Sequence, residues 1–319
     1  MRAVELKGLT YTYSVKTPFE KRALDNVSLA VEEGEFVGLI GATGSGKSTL
    51  IQHLNGLVKV QQGEVSVEGM NASDKKTLKK LRFTVGMVFQ YPEYQLFEDT
   101  VAKDVAFGPK NMKLDKEEVE RRVRRAMEVV GLPYEEFAER SPFELSGGEK
   151  RRAAIAGVIA MEPKILVLDE PVAGLDPVGR REILALVRKL HEEVSPTVIM
   201  VSHYMDDIAE MADRIVALKE GRIVADGSPA EVFGDREKLA AAGLSLPTAA
   251  RIVDSLAARG IALPRTIVTA RELADALAAY RAAHPKPDAA ENAAAEAPAE
   301  ESGEELSKES EREGEERDV

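Results

Sequence analysis

Apolar and polar residues alternate from Val4 to Tyr13 and again from Ala23 to Val31, the period-two pattern of half-buried strands. The chain is therefore expected to open on an antiparallel flank. Phe36 to Ile40 replaces the alternation with a short apolar run, and Thr49 to Leu57 then spaces its apolar residues as a helix does. A glycine-rich stretch separates the two, so the order is strand, loop, helix. Residues 64–68 and 84–90 read as further strands. From about residue 95 the pattern turns helical, with Val119, Val123, Met127 and Val130 at helical spacing and helical character again from Ile155 to Met161, ahead of Pro163. Ile165 to Leu168 and Val198 to Val201 are uninterrupted apolar runs, as buried strands require. The turn-rich stretch Ala225 to Pro229 is expected to close the sheet region, and residues 235–284 are Ala/Leu-rich with helical periodicity. No repeat of fixed period runs through the chain.

This pattern divides 319 residues into a large α/β domain at 1–232, with a helical insert at about 95–160, and a small helical domain at 233–284. Residues 285–319 are rich in Ala, Glu, Pro and Ser and lack aromatics, which predicts a disordered acidic tail. That tail holds 13 acidic and 4 basic residues, so its local net of -9 accounts for most of the whole chain's -12. The remainder is too weakly charged to steer a polyanion, and aromatics at 5% with no Trp offer no stacking surface for nucleic acid. Cysteine is absent, which excludes disulfides and thiolate metal sites and permits a reducing compartment. The start after Met1 lacks the apolar core of a signal peptide, and no apolar run approaches the roughly 18 residues of a membrane span. Any membrane role is expected to come through a partner.

The candidate chemistry begins at Gly41-Ala42-Thr43-Gly44-Ser45-Gly46-Lys47-Ser48, a P-loop pattern placed between a strand and a helix as its mechanism demands. Glycines turn backbone N–H groups inward around phosphate oxygens, the helix N-terminus adds positive potential, Lys47 reaches the β/γ-phosphates, and Ser48 offers its hydroxyl to Mg²⁺. Asp169-Glu170 ends the run from Ile165 and so places two carboxylates at a strand's C-terminal edge, where open α/β sheets bind ligands. Asp169 would hold Mg²⁺, usually through water. Glu170 would polarise the water that attacks the γ-phosphate of ATP.

Leu145-Ser146-Gly147-Gly148-Glu149 resembles the signature loop of ABC ATPases, and the resemblance extends over about residues 4–230. It implies a P-loop NTPase (RecA-like) ABC core with an antiparallel β flank, a helical subdomain and a small C-terminal helical domain. Gln90 is placed like the family's Q-loop glutamine, at once catalytic and Mg²⁺-facing, Asp176 like its D-loop aspartate, and His203 like its switch histidine. Tyr13 stands where an aromatic stacks on adenine, with Tyr11 as its competitor, and Thr49 follows the loop in the nucleotide site. In this family Ser146, Gly147 and Gly148 would cover the nucleotide held by a second subunit. Glu149 departs from the Gln of many members.

Tyr91-Pro92-Glu93-Tyr94-Gln95-Leu96-Phe97 and Leu145 to Arg152 resemble the energy-coupling factor (ECF) ATPases for vitamins and cobalt or nickel ions. Tyr11 to Arg22, Pro171 to Asp176 and His203 to Asp207 look like the second (A-prime) of their paired ATPases. The resemblance implies a heterodimer with another ECF ATPase at the cytoplasmic face of the cell membrane, held peripherally. It further implies an integral membrane coupling (T) protein, which Glu93, Glu98 and Asp99 would receive, and a substrate-specific membrane S component. Helices 235–284 would keep the two ATPases in contact. The alternative, a soluble ABC ATPase acting on nucleic acid or the ribosome, lacks its coiled coil, second core or basic stripe here. No nucleic-acid partner is expected.

Overall fold

The computed structural model describes residues 1–284, and the acidic tail expected at 285–319 lies outside the described residues. Met1–Asp275 forms one compact unit, and the second begins at Ala276. Strands β1 (Arg2–Tyr13), β2 (Lys21–Glu32), β4 (Gln62–Val67) and β5 (Met70–Asn71) make an antiparallel sheet in the order β2-β1-β4-β5. Strands β3 (Phe36–Gly41), β6 (Val85–Val88), β7 (Ile165–Asp169), β8 (Thr197–Val201), β9 (Arg214–Lys219) and β10 (Arg222–Gly227) make the second sheet, in the order β10-β9-β3-β8-β7-β6. All but β10 run parallel.

The uninterrupted apolar runs follow from burial on both faces. Phe36, Ile40, Leu166, Leu168, Val198 and Met200 point into a core shared with the helical insert, whereas Val37, Leu39, Ile165, Val167, Ile199 and Val201 point into a core shared with the antiparallel sheet. Alternate residues along each strand thus serve opposite layers. Helix α1 (Lys47–Leu54) packs in the second core, ending earlier than the expected Leu57 because Gly56 turns the chain left-handed at φ 66°.

After α2 (Leu78–Thr84), the insert comprises α3 (Val101–Asn111), α4 (Lys116–Val129), α5 (Tyr134–Phe137) and α6 (Gly147–Ile159). Helices α7 (Pro177–Glu193) and α8 (Met205–Met211) flank β8 in sequence. The stretch from Ala225 to Gly227, expected as a turn, is instead the end of β10. The reversal lies at Glu220–Gly221, both left-handed, and Arg214 clamps the hairpin through Asp226. Helices α9 (Pro229–Gly234), α10 (Arg236–Ala241), α11 (Thr248–Ala257) and α12 (Ala270–Ala283) follow. Asp206 caps α11 through Thr248 N–H at 2.7 Å and its hydroxyl at 3.0 Å, and Lys219 donates to the Ala241 carbonyl at 2.7 Å. These contacts cross the expected 232/233 boundary and bind the helices up to Asp275 into the same unit as the sheets.

Candidate functional site

Parallel strands β3, β8, β7 and β6 lie side by side, so everything that follows their C-terminal ends gathers at one sheet edge. Gly41 to Ser48 leaves β3, His203 follows β8, Asp169 and Glu170 end β7, and Gln90 follows β6. Four segments that are far apart in sequence become one cleft edge.

The phosphate loop is shaped by close packing. Gly46 sits at φ 109°, and a Cβ there would lie 2.4 Å from the Ala23 carbonyl oxygen, so the turn into α1 admits only glycine. Lys47 is buried and donates from Nζ to the carbonyls of Gly41 at 2.7 Å and Ala42 at 3.1 Å. Burial pulls its pKa down, and the nearby carboxylates of Glu170 and Asp169 act in the opposite sense. Tyr13 opens onto the cleft formed by Gly44, Gly46, Ser48 and Thr49, with its hydroxyl 3.1 Å from Thr49 Oγ1. Tyr11 turns inward, edge-on to His53 at 5.0 Å and to Tyr13 at 4.8 Å. Of the two competing rings, only Tyr13 presents itself to the cleft. Lys21 also lines this cleft, and the reading of motifs alone passed over it.

At the carboxylate end, Glu170 adopts φ 52° and donates its N–H to the Val201 carbonyl at 3.0 Å. A left-handed non-glycine residue is strain that the surroundings must hold. Its carboxylate receives Gln90 Nε2 at 3.0 Å on one oxygen and contacts His203 Nε2 on the other. Burial pushes up the pKa of Asp169, with Glu170 adding to the rise and the nearby Ser48 hydroxyl and Lys47 opposing it. A hydroxyl and a carboxylate are thus paired as hard oxygen ligands, which suits Mg²⁺. Among the described residues no group of three His, Cys, Asp or Glu side chains could hold a metal alone. A magnesium ion here would complete its shell from phosphate oxygens, water and the Gln90 amide.

Ser146, Gly147 and Gly148 start α6 on the helical insert, with Ser146 as N-cap. A Cβ on Gly147 or Gly148 would meet nothing within 4 Å. Neither glycine is demanded by this chain's own packing. Glu149 closes a capping box: its carboxylate accepts the Ser146 N–H at 2.7 Å, and its own N–H donates to Ser146 Oγ at 3.4 Å. Hydrogen bonding to Ser146 also holds the Glu149 carboxyl below its usual pKa. Gln serves a capping box equally well, so Glu149→Gln should leave ATPase rate and Tm unchanged. Glu149→Ala should cost about 0.5–1 kcal/mol and lower Tm in calorimetry by roughly 1–2 °C. Asp176 is the N-cap of α7, accepting from Gly179 N–H at 2.7 Å.

Glu93 does not stand free for a partner's arginine. Arg151, from α6 and only 2% exposed, grips it with Nε and Nη2 at 3.1 and 3.0 Å, while its Nη1 donates to the carbonyls of Pro171 and Ala173 at 3.2 and 3.0 Å. One guanidinium joins the turn after Gln90 to the loop after Glu170. Glu98 and Asp99 remain at the surface, Asp99 with Lys103 at 3.4 Å. Beside them the exposed rings of Phe97 and Phe107, edge-on at 5.0 Å, line an apolar groove with Leu96, Gln95 and Met161.

Residues 24–173 match the ABC transporter family. The chain is 52% identical over 276 residues to the energy-coupling factor transporter ATP-binding protein EcfA2 of Clostridium perfringens, covering 86% of this chain and 97% of that protein. It is likewise 52% identical to EcfA2 of Symbiobacterium thermophilum, covering 86% and 95%. Among solved structures it is similar to cbiO1 of Clostridium perfringens, part of the ABC transporter complex cbiONQ, at TM-score 0.67 and 36% identity over 81% of this chain and 95% of that one. It also resembles the dimeric cassette MJ0796 in a post-hydrolysis state bound to ADP and Pi, at TM-score 0.62 and 34% identity over 71% and 98%.

Proposed function

Since the chain belongs to the energy-coupling factor transporter ATP-binding family of ABC ATPases, we propose that it powers a micronutrient importer as one of two paired ATPases. They sit at the cytoplasmic face of the membrane. The observation that carries this reading is the signature loop. Ser146, Gly147 and Gly148 offer a hydroxyl, helix N–H groups and open ground beside both glycines that no described residue fills within 4 Å of a Cβ placed there. Such an anion site fits a nucleotide held by another subunit, and a paralogous ECF ATPase is the partner this reading assigns.

In this reading adenine stacks on Tyr13, and the loop from Gly41 to Ser48, with Thr43, Ser45 and Lys47, wraps the phosphates of ATP. Ser48, Asp169 and Gln90 would hold Mg²⁺, which would supply positive charge against the phosphate oxygens. Glu170 accepts the proton of the water that attacks the γ-phosphorus, while the β–γ bridging oxygen departs with ADP. Gln90 and His203 hold the Glu170 carboxylate in line, as their contacts with both its oxygens suit them to do. Asp176 approaches the shared site at the subunit boundary, and the helices from residue 233 keep the pair together when it opens.

The groove beside Phe97 and Phe107 suits an apolar helix of the membrane coupling protein, which in turn carries the S component for a vitamin or a transition-metal ion. No described helix is long and apolar enough to cross a membrane, so that contact would be the chain's link to the bilayer. Phe97→Asp is expected to lower recovery of the coupling protein by about tenfold or more, as loss of a central aromatic anchor does, with ATP binding retained. The experiment that tests the whole reading is purification from native membranes and identification of what accompanies the chain. A second ECF ATPase and an integral coupling protein are expected; a soluble complex with nucleic acid or the ribosome would overturn it.

A further inference from the structure

We propose that Lys21 is a second cationic ligand of the nucleotide's phosphates, reaching them from the solvent side while Lys47 holds them from within. This rests on the ATP-site reading above and adds a residue to it.

The placement follows from strand register. Lys21 is the first residue of β2 and stands directly opposite Tyr13 on β1 in the antiparallel ladder. Both therefore reach the same cleft, where they meet Gly44, Gly46, Ser48 and Thr49. Two residues further along β2, the Ala23 backbone carbonyl packs against Gly46. That close approach fixes β2 over the phosphate loop, and Lys21 Nζ lies 3.6 Å from the point where a Gly44 Cβ would stand.

Charge separates Lys21 from its neighbour. Arg22 turns to the other face and pairs with Asp25 at 3.3 Å. Lys21 makes no hydrogen bond or ion pair among the described residues. Within the cleft the other cation, Lys47, is buried against the carbonyls of Gly41 and Ala42. An uncompensated ammonium beside a loop that binds polyphosphate gains most by meeting an anion. The ring of Tyr13 and the ammonium of Lys21, side by side on one hairpin, divide the ligand between them: base to the ring, phosphates to the cation.

The test compares adenosine, ADP and a non-hydrolysable ATP analogue binding to the full-length chain. Lys21→Ala should weaken ADP and the ATP analogue by about fivefold, the size of one partly exposed charge-assisted contact, and leave adenosine unchanged. Lys21→Arg should restore most of the loss, Lys21→Glu should deepen it, and Arg22→Ala should behave as wild type. Unchanged ADP affinity in Lys21→Ala would overturn the proposal. So would an equal loss for adenosine and ADP, because that marks a distorted hairpin rather than a lost phosphate contact. Failure of the wild-type chain to bind ATP would instead remove the ATP-site reading itself.

Discussion

Glu170→Gln is expected to lower ATP turnover by about 10²–10⁴-fold and to leave nucleotide binding intact. The substitution is nearly isosteric, and the surroundings accept it. Gln90 Nε2 can still donate to the new amide oxygen as it does to Glu170 Oε2 at 3.0 Å, and the amide nitrogen can donate to His203 Nε2 on the other side. Backbone placement also survives, because the Glu170 N–H bond to Val201 and the left-handed φ of 52° do not depend on the carboxylate. What disappears is the proton acceptor that the proposed mechanism assigns to Glu170. Site geometry is kept and the chemical step is slowed, so ATP-bound pairs should accumulate and be seen as a stable larger species on gel filtration with ATP retained. Wild-type phosphate release in this variant would remove Glu170 as the base. Loss of ATP binding would show instead that its charge holds the site together.

The sheet edge was legible in the chain because each of its parts is local. Strands β3, β7 and β8 announce themselves as unbroken apolar runs, and the loop, the two acids and the histidine follow those runs at once in sequence. Parallel topology then brings them together, which a resemblance to a known family supplies and periodicity alone does not. The end of β10 is hidden in the sequence, since Asp226 and Gly227 look like turn residues until Arg214 is seen across the ladder holding Asp226. Lys21 is illegible for a similar reason: one lysine in a polar hairpin carries no pattern, and its place opposite Tyr13 exists only once the register is known. Glu93 looks like a free surface acid in the sequence because its partner Arg151 lies 58 positions away, in a run of three basic residues. Glu149, by contrast, needed only the local rule for helix starts: three residues after Ser146 it closes a capping box, and its departure from Gln requires no partner to explain it.

Arg151→Met should prove the most destabilising of these substitutions. Arg151 is only 2% exposed and Glu93 19%, so removing the guanidinium leaves a shielded carboxylate and two carbonyls, those of Pro171 and Ala173, without their donors. Breaking such a pair from one side costs about 3 kcal/mol, which for a chain of this size corresponds to a fall in Tm of roughly 4–6 °C. Glu93→Gln should cost less, since an amide oxygen can still accept from Arg151 and the two carbonyls keep their partner. Combining Arg151→Met with Glu93→Leu should recover part of the loss, because the uncompensated charge is gone, and the two changes should therefore fall well short of additivity. The same guanidinium ties the turn three residues after Gln90 to the loop just after Glu170. Below its Tm, the folded Arg151→Met protein should then hydrolyse ATP more slowly while binding it as before, since neither the phosphate loop nor Tyr13 touches this network. Full turnover in the folded variant would confine Arg151 to stability. Weakened binding together with slowed turnover would mean that the network extends to the phosphate loop.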